Sequence, residues 1–208
     1  MRKVFIIPLL LFLSLSLYAQ NASFVWCKQF GGGGGSNGNA IAVDHDGNVY
    51  TIGEFKGTVD FDPGIGTYMM TASGAGTFVS KIDSNGVFKW AKQFAGPNVG
   101  GYAIALDAAG NVYTTGFFQY SADFDPGVNT FSLSTLSGPN AFVSKLDTDG
   151  NFVWAKKLGG TFNVYTTGFG IAIDANSNVY TVGQFDYNVD FDPGSGTNVL
   201  NSTGFEDI

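Results

Sequence analysis

Short apolar runs, each closed by a polar pair and a glycine, set the rhythm of this chain. Ala40-Ile-Ala-Val-Asp44 is followed by His45-Asp46-Gly47, and then by a run from Asn48 to Phe55. A longer link holds Asp60-Phe-Asp-Pro-Gly64. Thr77 to Asp83 is the next run, Ser84-Asn85-Gly86 the next break, and Val87 to Phe94 the run after it. The runs are rich in Val, Ile, Thr, Phe and Tyr, the residues a pleated strand accommodates best. Asx-Gly between two such runs signals a hairpin. The pattern therefore predicts four strands, at 40–44, 48–55, 77–83 and 87–94, with a surface excursion or small extra hairpin around the Asp-Pro-Gly turn. Both faces are largely apolar, and small residues (Ala42, Gly53, Ser80, Ala91) sit among large ones. That suits sheets covered on both faces by neighbours rather than a sheet with one wet face.

The pattern is written three times. Trp26, Trp90 and Trp154 are 64 residues apart, inside Phe24-Val-Trp-Cys-Lys-Gln-Phe30, Phe88-Lys-Trp-Ala-Lys-Gln-Phe94 and Phe152-Val-Trp-Ala-Lys-Lys-Leu158. Ala40 to Tyr50 recurs as Ala103 to Tyr113 and Gly170 to Tyr180, each with Asp, Asn and Tyr in the same places. The Asp-Phe-Asp-Pro-Gly block recurs at 123 and 190, and Phe78-Val-Ser-Lys-Ile-Asp83 recurs as Phe142-Val-Ser-Lys-Leu-Asp147. Four antiparallel strands per unit, repeated about an axis, make a β-propeller blade. The expected fold is all-β: an incomplete propeller with blades at 40–94 and 103–158, a partial blade at 170–208, and an N-terminal outer strand at 24–30. That strand lacks three preceding ones, and the third unit has only strands one and two. The expectation is an N-terminal piece of a longer protein, whose remaining blades would complete the ring. The rival is a short chain that closes by self-association.

Trp-Ala-Lys-Gln-Phe, Asp-x-x-Gly-Asn-Val-Tyr, Val-Asp-Phe-Asp-Pro-Gly and Phe-Val-Ser-Lys-Leu-Asp resemble the bacterial β-propeller repeat family called SBBP, for seven-bladed β-propeller. The resemblance covers about residues 24 to 208. It implies a secreted or surface-attached bacterial protein with more repeats than these, and no particular reaction.

Ahead of the repeats, Met1-Arg2-Lys3 precedes an apolar run from Val4 to Leu17, then Tyr18-Ala19-Gln20. This is the pattern of a secretory signal peptide, 1–19, cleaved after Ala19. The run is too short for the roughly 20 apolar residues that span a bilayer, so no membrane span is expected after cleavage. Cleavage removes Arg2, the only Arg, and leaves 8 Lys against 17 acidic residues. A chain of that charge has no basic face for nucleic acid, and without Arg it cannot clamp phosphate bidentately. Cys27 is the sole cysteine, so stability rests on a packed core rather than on an intramolecular disulfide.

Candidate chemistry centres on carboxylates. Asp60 and Asp62, Asp123 and Asp125, and Asp190 and Asp192 stand at i, i+2. In an extended segment each pair shares one face, about 7 Å apart, a separation that inverting glycosidases use. Three copies point instead to a role every unit needs, and Asp before Pro-Gly caps a turn. The pairs are carried as turn formers with contact to calcium or a glycan as the alternative. Asp44-His-Asp-Gly-Asn48 and Asp147-Thr-Asp-Gly-Asn151 resemble the start of a calcium loop but lack its downstream bidentate Glu. His45 has Ala108 and Ala175 as counterparts, which makes it an exposed turn residue without a catalytic triad. Cys27 holds the place of Ala91 and Ala155 and is expected to be small and buried. The glycines at 31–35 lack the Lys-Ser/Thr ending of a phosphate loop and read as a flexible connector. Trp26, Trp90, Trp154, Tyr50, Tyr113 and Tyr180 mark the repeat.

The functional reading is a secreted or cell-surface scaffold that binds an extracellular protein or glycan without catalysis and without a cofactor. The alternatives are the N-terminal part of an extracellular polysaccharide hydrolase or lyase, and an adhesin stiffened by calcium.

Overall fold

A computed structural model of the chain describes residues 23–136, 138–160, 165–203 and 207–208. The signal segment at 1–19 lies outside the described residues. Those residues form fifteen strands and no helix.

The two-residue β1 (Gly31–Gly32) is followed by β2 (Gly35–Val43), β3 (Val49–Asp60), β4 (Met69–Ile82) and β5 (Phe88–Phe94). The last four pair antiparallel in chain order as one blade. The second unit comprises β6 (Asn98–Leu106), β7 (Val112–Gln119), β8 (Ser121–Asp123), β9 (Ser132–Ser134), β10 (Asn140–Leu146) and β11 (Phe152–Leu158). Its blade is β6-β7-β10-β11, again antiparallel throughout. The third unit has β12 (Thr166–Ile173) paired with β13 (Val179–Phe185), then β14 (Asn188–Asp190) and β15 (Val199–Asn201). The first strand of each unit lies beside that of the next: β6 packs between β2 and β12. Tyr102 of β6 stacks on Phe169 of β12, with centroids 5.9 Å apart.

The extra length is the predicted hairpin. In unit one β3 and β4 run past a register shift between Phe55 and Gly57, so that Gly57–Asp60 pairs with Met69–Ala72. Units two and three make the same excursion as separate hairpins, β8–β9 and β14–β15. Each excursion is clamped by the connector of the unit before it. Gly31 pairs with Asp60, Ala95 with Asp123, and the Gly159 N–H donates to the Asp190 carbonyl at 3.2 Å. The glycine run is therefore a paired segment rather than a loose connector. Its backbone approaches closely: a Cβ on Gly34 would overlap the Lys56 carbonyl oxygen.

Two expectations at the N-terminus are corrected. Residues 24–30, predicted as an outer strand, carry no strand. Cys27 is exposed, whereas Ala91 and Ala155 are buried. Those two sit on β5 and β11, covered by pairing with β4 and β10, and segment 24–30 has no such strand partner.

Stacking of units buries aromatic clusters. Phe61 packs on Phe30, Phe55 and Phe78. Phe124 packs in the same way on Phe94, Phe118 and Phe142. In each set a residue of the preceding outer segment (Phe30, Phe94) meets two of the three from the next unit. Full burial stabilises by roughly 2–3 kcal/mol per Phe, so these clusters carry the cohesion that a disulfide or charge network would supply elsewhere.

One recurring glycine is a steric necessity. Each first strand carries a bulge, at Gly38/Ala40, Gly101/Ala103 and Gly168/Gly170, which bends its carbonyl toward the second strand. A Cβ on Gly53, Gly116 or Gly183 would overlap the carbonyl oxygen of Asn37, Gly100 or Thr167 respectively. Gly116→Ala is expected to cost about 2–3 kcal/mol, read as a lower urea midpoint with an unchanged slope.

Candidate functional site

The recurring carboxylates act first on their own turns. Asp44 Oδ1 accepts the backbone N–H groups of Asp46 at 3.0 Å and Asn48 at 2.9 Å. Its Oδ2 accepts the Asn48 amide at 2.8 Å and the Tyr50 hydroxyl at 3.2 Å. Asp107 repeats the set with Ala109, Asn111 and Tyr113. Asp174 does so with Asn176, Asn178 and Tyr180. Asp147 makes the three contacts to Asp149 and Asn151. The motif Asp-x-x-Gly-Asn-x-Tyr is thus one device: a carboxylate at the turn, an amide that reaches back to it, and a tyrosine that reports from the strand. The glycine is needed because its φ is positive, +79° at Gly47 and +81° at Gly110. Unit three forces Ser177 into the same region, at φ 62°.

Burial opposes ionisation of Asp44, Asp107 and Asp147, but the hydrogen bonds outweigh it and hold all three carboxyls below the ordinary value of 3.8. At Asp174 the Asn178 amide leads the same downward shift. Burial, then the charge of Asp44, pushes the Tyr50 hydroxyl well above its ordinary value, which keeps it a donor.

Two lysines with no role assigned from sequence complete these sites. Lys145 Nζ lies 3.4 Å from Asp107 Oδ2 and 4.8 Å above the Tyr113 ring. Lys81 Nζ lies 4.9 Å above the Tyr50 ring and 3.5 Å from the Thr148 carbonyl of the next unit. The signal was present in the repeated Phe-Val-Ser-Lys, where a lysine recurs inside an otherwise apolar strand. Beside Lys81 a cleft of about 480 Å³ opens between the turns of units one and two, with Asp44, Asp46 and Asp107 on its walls. His45, at its rim, is exposed and pairs with Asp46 at 2.9 Å.

An extended segment would put each Asp-Pro-Gly pair on one face, but the segment is not extended there. β3, β8 and β14 end at Asp60, Asp123 and Asp190, so Asp62, Asp125 and Asp192 stand in the loops beyond and not on a strand. The cause is local capture of backbone N–H groups by the carboxylates themselves. Asp60 Oδ1 accepts from Asp62 at 3.0 Å and from Tyr68 at 2.8 Å, and Asp62 Oδ1 accepts from Gly64 at 2.8 Å. In unit two, Asp123 Oδ1 accepts from Asp125 at 3.0 Å and from Phe131 at 2.8 Å. Asp125 Oδ1 in turn accepts from Gly127 at 2.8 Å. In unit three, Asp190 Oδ1 accepts from Asp192 at 3.0 Å and from Asn198 at 2.8 Å. Asp192 Oδ1 accepts from Gly194 at 2.7 Å.

Each pair is therefore a double Asx turn that closes the loop over Pro. The loop tips face solvent: Ile65 and Val128 are fully exposed, and Ser195 stands in the same place. Among the described residues no three His, Cys, Asp or Glu side chains form a metal-binding group. Asp62, Asp125 and Asp192, carried from sequence as turn formers with calcium or glycan contact as the alternative, each accept a backbone N–H within their own turn.

The tryptophans join one unit to the next. Trp26 Nε1 donates to the Ser84 carbonyl at 3.0 Å, and Trp90 Nε1 to the Thr148 carbonyl at 3.2 Å. Each indole lies against the glycine of that turn, Gly86 or Gly150. Trp26 therefore holds the place of a preceding outer strand although its segment is not one.

The chain matches the SBBP β-propeller repeat family over residues 25–54. It is 31% identical over 159 residues to an uncharacterized WD repeat-containing protein of Acanthamoeba polyphaga mimivirus, a match covering 70% of this chain and 11% of that protein. The chain thus spans about a tenth of the length of that relative. With the blades described above, these matches make this a β-propeller repeat protein.

Asp107→Ala is expected to cost about 2–3 kcal/mol, because Lys145, Tyr113 and two backbone donors lose their acceptor. The same carboxylates make the fold acid-sensitive. Their folded values lie below 3.8, so their stabilisation is complete above about pH 5 and is lost as pH falls from about 4 through the lowered folded values. Thermal melts between pH 7 and pH 3 check the direction. Ser177→Gly is expected to raise stability by about 1 kcal/mol by relieving its positive φ, seen as a higher melting temperature.

Proposed function

We propose that this chain is part of a secreted or cell-surface propeller of the SBBP type that binds an extracellular protein or glycan without catalysing a reaction. The observation that carries this reading is the division of labour in the Asp-Pro-Gly loops. Both carboxylates of every pair are engaged in closing the loop, while the tips that differ between units, Ile65, Val128 and Ser195, stand in solvent. A rigid frame with interchangeable tips suits recognition. A catalytic pair would flank a bond at one site, whereas this pair recurs in every unit. The signal-like segment at 1–19 and the acidic mature chain support export.

The test compares the chain with its Asp62→Asn/Asp125→Asn variant in melting temperature and in reducing-sugar or unsaturated-product release from a polysaccharide panel. A drop of a few degrees with no product from either protein is expected. Product from the parent that vanishes in a variant retaining its fold overturns the reading in favour of a hydrolase or lyase. Melting with calcium and with chelator should give one midpoint; a higher midpoint with calcium would favour the adhesin. Mass spectrometry of the exported protein should find Gln20 at its N-terminus.

A further inference from the structure

Each unit turns a sharp corner where its second strand gives way to the excursion hairpin. The residue at that corner stands three places before the first aspartate of the Asp-Pro-Gly block: Gly57, Tyr120 and Tyr187. All three have left-handed backbones, at φ 67°, 68° and 61°. Glycine takes that conformation without steric cost. A bulky side chain there is an outlier, because its Cβ crowds the following carbonyl. The same corner is thus made without strain in unit one and with strain in units two and three. Hydrogen bonds hold it. The Tyr120 N–H donates to Thr135 Oγ1 at 3.0 Å, and its carbonyl accepts from the Thr135 N–H at 2.7 Å. The Tyr187 carbonyl accepts from the Ser202 N–H at 2.8 Å.

The two rings add nothing to the fold in return. Tyr120 is 59% exposed and Tyr187 56%. Among the described residues neither hydroxyl has a hydrogen bond and neither ring an aromatic contact. Unit two has a neighbour on either side, so the exposure of Tyr120 is not that of an uncovered end. Backbone outliers that no local requirement explains collect at binding sites. Beside each tyrosine stands an exposed cross-strand pair of uncharged polar side chains, Ser121↔Ser134 in unit two and Asn188↔Asn201 in unit three. Charge close by is sparse and of both signs: Lys157 Nζ donates to the Ser134 carbonyl at 3.1 Å, and Asp186 precedes Tyr187.

We infer that Tyr120 and Tyr187 are stacking platforms for an uncharged polysaccharide, one sugar ring on each. The inference rests on the binding-scaffold reading above and names its ligand class and its contacts. The C–H face of a pyranose carries slight positive charge and meets the negative face of the tyrosine ring. The serine and asparagine pairs offer donors and acceptors to the sugar hydroxyls. An acidic polysaccharide is disfavoured by the chain's net charge of -7. A protein partner would take a contiguous apolar centre, whereas these rings stand singly among hydroxyls and amides. Platforms on successive units let one glycan chain engage both, so that the second contact is intramolecular. Unit one, with Gly57 at the corner, has no platform.

The probes are laminarin, xyloglucan and galactomannan, all neutral, and acidic alginate, each cast into native gels in which the full chain is run. Retardation by at least one neutral glycan and none by alginate is expected. The variant Tyr120→Gly/Tyr187→Gly should bind at least about tenfold more weakly, with a melting temperature that does not fall, because glycine relieves the strain. Tyr120→Phe/Tyr187→Phe keeps both rings and should bind as the parent does. Equal retardation of the parent and the glycine variant overturns the inference. So does weaker binding accompanied by a clearly lower melting temperature, which would make the tyrosines structural. Retardation by no neutral glycan, or by alginate alone, overturns it too, while the scaffold reading stands with a protein as its partner. Sugar released from a retarding glycan would sink the scaffold reading instead, and the dependence on the two rings would remain.

Discussion

The structure depends on burial of aromatic rings between successive units. Each blade is a thin antiparallel sheet with apolar residues on both faces, and such a sheet is not stable alone in water. The chain has no disulfide partner for Cys27 and few charges, so cohesion falls to the Phe clusters around Phe61 and Phe124. These clusters draw one member from the preceding outer segment and the rest from the next unit. That arrangement makes the contact directional, with each unit finishing the core of its successor. The indole bonds from Trp26 to Ser84 and from Trp90 to Thr148 run in the same direction. The connector clamps at Gly31, Ala95 and Gly159 do as well.

Polar residues serve this stacking by holding the turns in a shape the sheets can pack around. Hairpin turns between apolar strands leave several backbone N–H groups without strand partners. One aspartate per turn satisfies two of them and orients an asparagine and a tyrosine besides. A carboxylate accepting three or four hydrogen bonds stays ionised at little cost despite burial. The acidic composition is thus partly a consequence of turn construction, with the recurring carboxylates bonded to local donors.

Much of this was legible because the sequence repeats. The Asx-Gly breaks placed the β2–β3, β4–β5 and β10–β11 hairpins, and the excursion at the Asp-Pro-Gly block was visible as surplus length between strands two and three. Where position in the repeat was used as a proxy for environment, it failed at the edges of the repeated block. Cys27 was expected to be buried like Ala91, yet burial there comes from strand pairing that segment 24–30 does not have. The glycines at 31–35 looked like a flexible linker, and the signal that they pair lay in the backbone of Thr58–Asp60, which composition does not reveal. The i, i+2 spacing of the Asp-Pro-Gly block would put two carboxylates on one face only in an extended segment, and Pro-Gly marked the block as a turn. Each strand ends where its last aspartate captures the N–H two residues on, and that capture holds Asp62, Asp125 and Asp192 in loops. Lys81 and Lys145 were visible as a recurring charge in an apolar run. Their contacts to Tyr50 and Tyr113 needed the cross-strand register.

Repetition also separates what the fold needs from what a particular blade can offer. A residue present in all units, such as the turn aspartate or the glycine opposite the bulge, is accounted for by local geometry. Individuality enters at three kinds of position. The bulge residues on the first strands are Asn39, Tyr102 and Phe169. The turn residues after the aspartate are His45, Ala108 and Ala175, and the loop tips are Ile65, Val128 and Ser195. Each set lies at the same place on its unit, so each forms one row across neighbouring blades. Tyr102 stacked on Phe169 shows such a row making contact from one unit to the next. A surface built this way can vary by substitution along a row while the turns, bulges and aromatic clusters beneath it stay as they are.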